Sequence, residues 1–198
     1  MITTTVISKH ILQKWVKKDD FVAHVVKVLE EDEEVTELLK MSNINAVLRL
    51  GYNDHGPVHA RIVAGTALEI LHLLLESGQT PTSIYHGTAR NITEVKTILI
   101  FSAYLHDIGN AIHRYMHEYV GALLAKDIVD RLLPKALGDI GPRRFLIRQE
   151  IMGAIYSTEY NTKALTMEAG IIKIADGLDM SEGRARIPYE MGKIDIHA

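Results

Sequence analysis

The chain contains no cysteine. Disulfides and thiolate metal sites are therefore excluded, and any bound ion must be held by nitrogen and oxygen. It also lacks a surplus of positive charge. The formal net charge is −3, which provides no broad attraction for the phosphate backbone of nucleic acid. No apolar run has the uninterrupted length of a membrane span, and the opening residues MITTTVISKHILQKW lack the apolar stretch of a signal peptide. A cytoplasmic protein without a membrane partner is expected. Internal repeats and low-complexity segments are absent. Period-two alternation is scarce before the last dozen residues, which argues against sheets.

What is present is apolar material, 47% of 198 residues, enough for the core of one compact domain. The pattern predicts helices joined by short loops. Residues 7–40 suggest two or three of them, interrupted by the acidic run Glu30-Glu31-Asp32-Glu33-Glu34, which reads as a solvent-facing helix boundary. A turn-rich stretch from Gly51 to Pro57 leads into a long helix over 58–76, with Pro57 tolerated at its start. Residues 77–90 carry Gly78, Pro81 and Gly87 and read as a loop. Asn91 and Glu94 form a capping-box pattern opening a helix that ends at His106-Asp107. Further helices are predicted over 115–133, stopped by Pro134, over 143–159, and over 164–180 with Thr162 as a cap. The expected fold is all-α: an N-terminal helical segment (1–52) packed on a core (53–186). Ile187, Tyr189, Met191, Ile194 and Ile196 hint at alternation in an extension (187–198) that reads either as a frayed terminus, the simpler explanation, or as the start of a second domain.

Ten histidines are many for this length, and five of them, His55, His59, His106, His113 and His117, cluster along the chain. Helical geometry sorts them. His59 shares a face with Ile62, Val63, Thr66 and Ile70, whereas His72 groups with Arg61 and Glu76 and reads as solvent-facing. An imidazole on a core stripe needs a hydrogen-bond partner or a metal. Asp176 sits likewise on an apolar face with Leu165, Ala169 and Ile172. A buried carboxylate needs a cation or a basic partner, and Lys173 can be that partner. In the run AYLHDIGN, His106 and Asp107 are adjacent at a helix end, with Gly109 letting the backbone turn away. Two imidazoles and two carboxylates without sulfur suit Mn²⁺, Fe²⁺, Ni²⁺ or Co²⁺ ahead of Zn²⁺ or Mg²⁺. Such an ion, with open positions, activates water and polarises a phosphoryl oxygen. Spacing alone leaves a structural metal site equally open.

The order His59, His106-Asp107, Asp176, carried by NDHGPVHA, AYLHDIGN and IIKIADGLDM, resembles the HD-domain superfamily of metal-dependent phosphohydrolases. The resemblance runs from about Asn53 to Arg186. It implies a helical bundle, one divalent ion held by His59, His106, Asp107 and Asp176, and hydrolysis of a small phosphorylated substrate, a phosphomonoester or phosphodiester that is often a nucleotide. Asp179 lies on nearly the same face as Asp176, so geometry leaves either as the ligand; the resemblance implies Asp176, the first Asp of the motif, with Asp179 as a partner behind it. Dinuclear relatives carry extra histidines. His117, in HRYMHEYVGA, matches the first, but Gly153 and Thr158 stand where the next ones belong, and position 110 is Asn110. One ion rather than two is expected, with Asp107 as a catalytic group and His113 and His117 as catalytic or substrate-orienting groups, or simply packing. Asp54 and His55 are placed at the pocket mouth, and Lys173, Arg184 and Arg186 are candidates for phosphate. Asp54 and Glu118 are the candidate general bases. The competing reading is a degenerate HD module, a helical binding or regulatory domain with a structural metal. Apolar terminal helices make a homodimer an expectation.

Overall fold

The computed structural model describes residues 7–180. Among them lie nine α-helical segments and no strand: α1 (Ile11–Lys18), α2 (Asp20–Glu30), α3 (Glu33–Asn43), α4 (Pro57–Glu76), α5 (Thr82–Tyr85), α6 (Ile92–Leu105), α7 (His117–Leu137), α8 (Arg144–Tyr156) and α9 (Met167–Gly177). The fold is all-α, as expected. A π-helical stretch, Ile44–Arg49, extends α3, and a 3-10 turn, Ile108–Ala111, follows the His106-Asp107 pair.

Local chemistry sets the helix starts. The Asp19 carboxylate accepts from the Phe21 and Val22 amides at α2, Asp32 accepts from Val35 at α3, and Asn91 accepts from Glu94 at α6. The Asn91 capping box is modified, because the Glu94 carboxylate reaches back to the amide of Arg90 rather than to that of Asn91. Asp32 is more than a boundary residue: it also pairs with Arg131 of α7, while Glu30 accepts from Arg61 and from the buried Tyr104 hydroxyl. The acidic run is thus partly consumed in ties between helices.

α4 and α6 form the centre of the bundle. From Thr97 to Leu105 every residue of α6 is buried, so this helix is apolar on all sides. α1 and α9 pack on α4, α8 packs on α6, α7 and α9, and α3 packs against the 3-10 turn. α4 has the length and hydropathy of a membrane span, but 61% of that window is buried within the bundle. It is a core helix.

Several expected boundaries move. α7 continues through Pro134 to Leu137. A proline removes one amide donor and crowds the preceding turn, yet the buried side chains of Leu132, Leu133 and Ala136 hold the last turn in place. Gly138, at φ 71°, then ends the helix. The last helix starts at Met167, capped by the Thr166 hydroxyl on the Ala169 amide. Thr162 instead donates to Glu159, and Leu165, expected on the buried face, is exposed before the cap. Residues 77–90 contain the single-turn α5. His72 is half-buried and stands edge-on to Trp15, 5.6 Å between ring centres. The alternation at 187–196 lies outside the described residues.

Candidate metal centre

Four side chains from three helices and the turn after α6 converge. His59 comes from the first turn of α4, His106 and Asp107 from the end of α6, and Asp176 from the last turn of α9. His59 and His106 are each 1% exposed and Asp107 is 4% exposed, while 26% of the Asp176 side chain reaches solvent. The Nε2 atoms of His59 and His106 are 3.2 Å apart. Asp176 Oδ1 is 3.1 Å from the first and 3.7 Å from the second, and Asp107 Oδ2 is 3.4 and 3.2 Å from them.

The ring nitrogens on the far sides decide what these contacts mean. His106 Nδ1 lies 2.9 Å from the Ala103 carbonyl, an oxygen that can only accept, so Nδ1 carries the proton. His59 Nδ1 lies 2.7 Å from the carboxylate of Asp179, whose side chain is buried, and donates to it. In the neutral rings both Nε2 atoms then present lone pairs to each other and to two carboxylate oxygens. Four acceptors facing one another require a cation between them. Bonds of about 2.1 Å to one ion set neighbouring ligand atoms about 3.0 Å apart in an octahedron and about 3.4 Å apart in a tetrahedron. The donor set therefore fits a divalent ion in both chemistry and spacing. Without the ion, protons take its place. Burial opposes charge on His106, but Asp107 and Asp176 outweigh it and hold its pKa well above the ordinary value. Burial likewise works against ionised Asp107, and His106 and His55 outweigh it, holding that carboxyl well below its usual range.

Asp107 has two faces. Oδ2 meets His55 Nδ1 at 2.8 Å as well as the two facing imidazoles, and Oδ1 accepts from the Asn110 amide at 3.0 Å and lies 3.4 Å from His117 Nε2. His55, placed by sequence at the pocket mouth, is instead buried beside the cluster and forms a second possible ligand group with His59 and Asp107. His117 Nδ1 lies 3.0 Å from the Arg114 carbonyl and 3.1 Å from Glu118. Its Nε2 meets the Arg114 guanidinium at 2.9 Å. Burial lowers the His117 pKa, the carboxylates of Asp107 and Glu118 outweigh burial and raise it, and Arg114 works the other way. A contact to the guanidinium at hydrogen-bond distance selects the neutral ring.

The turn itself is held by packing. A methyl group at Gly109 would collide with the His117 carbonyl and the Gly121 amide. Gly109 is thus needed for close approach of α7; it is not among the residues with positive φ. Met116 at φ 59° is the one non-glycine residue in the left-handed region among those described, and it aims the start of α7. From the N-terminal side, the Ser42 hydroxyl donates to the Asp107 carbonyl, and the Asn45 amide donates to the carbonyls of Asn110 and Ala111. These braces, and Arg114, were missed in the sequence. Only the π-helical stretch brings Asn45 to the turn, and no local pattern announces that.

The remaining candidates scatter. Asp54 accepts from the Gly56 amide and closes the turn before α4. His113 is exposed, with Nδ1 accepting from the Tyr115 amide. The Lys173 ammonium donates to the carbonyls of Glu159, Tyr160 and Thr162. Its three donors are used there, which removes it both as the partner of Asp176 and as a phosphate contact. Arg184 and Arg186 lie outside the described residues. His113, Arg114, His117, Glu118, Tyr52 and Tyr119 line a cavity of about 610 Å³. Burial raises the Glu118 carboxyl, but its hydrogen bond and attraction to His117, with a backbone amide and Arg114, together outweigh burial and keep its pKa below the ordinary value.

A family model described as "HD domain" matches residues 59–181, more than half of the chain. The chain belongs to the HD-domain family. The match opens on His59 and extends past Asp176, so all four converging side chains fall within the HD domain. An uncharacterized protein of Methanocaldococcus jannaschii is 43% identical over 170 residues, which is 86% of this chain and 64% of that protein. The chain thus spans less than two thirds of that relative's length. No solved structure matches the chain.

Proposed function

We propose that this HD domain hydrolyses a phosphomonoester or phosphodiester, possessing nucleotide-like compounds within its substrate range, with one divalent ion held by His59, His106, Asp107 and Asp176. The observation that supports this most is the pair of imidazole lone pairs facing two carboxylates, one of which lies 3.4 Å from His117 on the wall of an open cavity. Nitrogen and oxygen donors favour Mn²⁺, Fe²⁺, Ni²⁺ or Co²⁺ over Zn²⁺ or Mg²⁺. Such an ion supplies Lewis-acid polarisation and lowers the pKa of water. The chain supplies the rest. Asp179 and the Ala103 carbonyl fix the tautomers of His59 and His106. Asp107 spans the cluster and the cavity side through its two oxygens. Glu118, on the cavity wall 3.1 Å from His117, is the carboxylate placed to accept a proton there. The small phosphorylated substrate would approach through the cavity lined by His117 and Glu118, on the Oδ1 side of Asp107.

The deep burial of His59, His106 and Asp107 favours a second reading, a regulatory or binding HD module with a structural ion. One experiment separates the two. The Mn²⁺-loaded protein is assayed on p-nitrophenyl phosphate, bis-p-nitrophenyl phosphate and a panel of nucleotides, beside Asp107→Ala. Hydrolysis by the wild type that is lost in the variant and on chelation supports the enzyme. A chain that binds its ion yet hydrolyses nothing in the panel supports the module.

A further inference from the structure

Beyond the four converging side chains, the face of Asp107 turned to the cavity meets a second cluster. His117 Nε2 is 3.4 Å from Asp107 Oδ1. With Nδ1 donating to the Arg114 carbonyl, Nε2 is a lone pair, and these two acceptors cannot satisfy each other. Asp107 Oδ1 is served by the Asn110 amide, and the Arg114 guanidinium supplies the donor to His117. Its Nη1 donates to His117 Nε2 at 2.9 Å and approaches Asn110 Oδ1 at 3.3 Å. Asn110 cannot turn away, because its own amide nitrogen donates to Asp107 Oδ1 at 3.0 Å. The guanidinium carbon lies 5.6 Å from the centre of the Tyr52 ring, which fixes the plane. Among the described residues no hydrogen bond to protein from Nε or Nη2 of Arg114 is seen, and the side chain lines the cavity. α8, packed on α7, carries no histidine that would complete a nitrogen-rich second site.

We propose that Arg114 is a built-in second cation. Its guanidinium occupies the His117 Nε2 lone pair that a second ion would need, and its remaining N–H groups bind a phosphoryl oxygen of the substrate. A fixed fork suits phosphate in a way that an ammonium does not. The proposal rests on the phosphohydrolase reading above and adds to it the residue that grips the phosphoryl group and the reason for a single ion.

The test compares the wild type with Arg114→Ala and Arg114→Lys after equilibration with Mn²⁺. Ions per chain are counted by elemental analysis, and inorganic phosphate is titrated calorimetrically into the loaded protein. The wild type should hold one ion. Arg114→Ala should admit a second, weaker one and bind phosphate about 10- to 100-fold more weakly, the range for losing a charged hydrogen-bonding group. Arg114→Lys keeps the charge, so it should stay at one ion but recover little of the phosphate affinity. Thermal melts of all three establish that they are folded. Two ions in the wild type overturn the proposal, and so does phosphate affinity indifferent to Arg114 in a chain that holds one ion. A wild type that takes up no ion overturns the underlying reading together with this one.

Discussion

Asp179→Asn separates charge from shape behind His59. The Asp179 side chain is fully buried, and its carboxylate accepts the His59 Nδ1 proton at 2.7 Å. That bond orients the ring and makes Nε2 a better donor to an ion. Removing a partner of this kind costs about 10- to 100-fold in metal affinity, or about 1.4–2.8 kcal/mol. Burial limits solvent screening and argues for the upper part of that range. The asparagine oxygen still accepts the same proton and argues for the lower part. Asp179→Asn should therefore weaken Mn²⁺ by about tenfold. Asp179→Ala, which leaves a buried N–H without its acceptor, should approach a hundredfold and lower stability by about 1–3 kcal/mol as well. Calorimetric titration at one pH and ionic strength measures the first effect and thermal unfolding the second. A folded Asp179→Ala protein that binds Mn²⁺ within twofold of the wild type would refute the assignment of His59 Nε2 as a ligand atom.

Other consequences are as direct. Tyr104→Phe removes the hydroxyl that donates from the core to Glu30 at the surface at 2.6 Å; it should cost about 1.5 kcal/mol and lower the melting temperature by about 3–6 °C, and an unchanged melt contradicts the tie. Gly109→Ala drives a methyl into the His117 carbonyl, so α7 must shift; the expected result is a loss of about 1–3 kcal/mol in stability together with reduced ion content. Protons compete with the ion at His106, whose pKa is raised by Asp107 and Asp176 against the effect of burial. Mn²⁺ affinity should consequently fall as the pH is lowered from about 8 to about 6, and a flat profile in a titration series argues against histidine ligation. The hydrogen bond from Arg131 holds the Asp32 carboxyl below its ordinary value against burial. Its stabilising effect is present above the unfolded value near pH 4 and is lost as the pH falls through the lower folded value, so Asp32→Asn should flatten the acid limb of the unfolding profile.

The helical class was legible because apolar residues recur at helical spacing and the caps at Asn91 and Pro57 are local signals. His59, His106, Asp107 and Asp176 were legible for a different reason, the order of their motifs along the chain. The structure brings those four side chains together, and the family match encloses them. Long-range bonds were not legible. Lys173 reads as a partner for Asp176 at helical spacing, yet it binds loop carbonyls whose approach depends on how α8 connects to α9. Thr162 and Thr166 are both plausible caps, and only the packing of α9 chooses between them. Arg114 has no motif at all. Its meaning comes from the lone pair of His117 and the orientation of Asn110, both set by contacts made after folding.

Anomalous diffraction from crystals grown with Mn²⁺ tests the central claim most directly. The account predicts one strong peak enclosed by His59 Nε2, His106 Nε2, Asp107 and Asp176, with metal–nitrogen distances of about 2.0–2.2 Å. No peak there, or a peak held by other side chains, would contradict it.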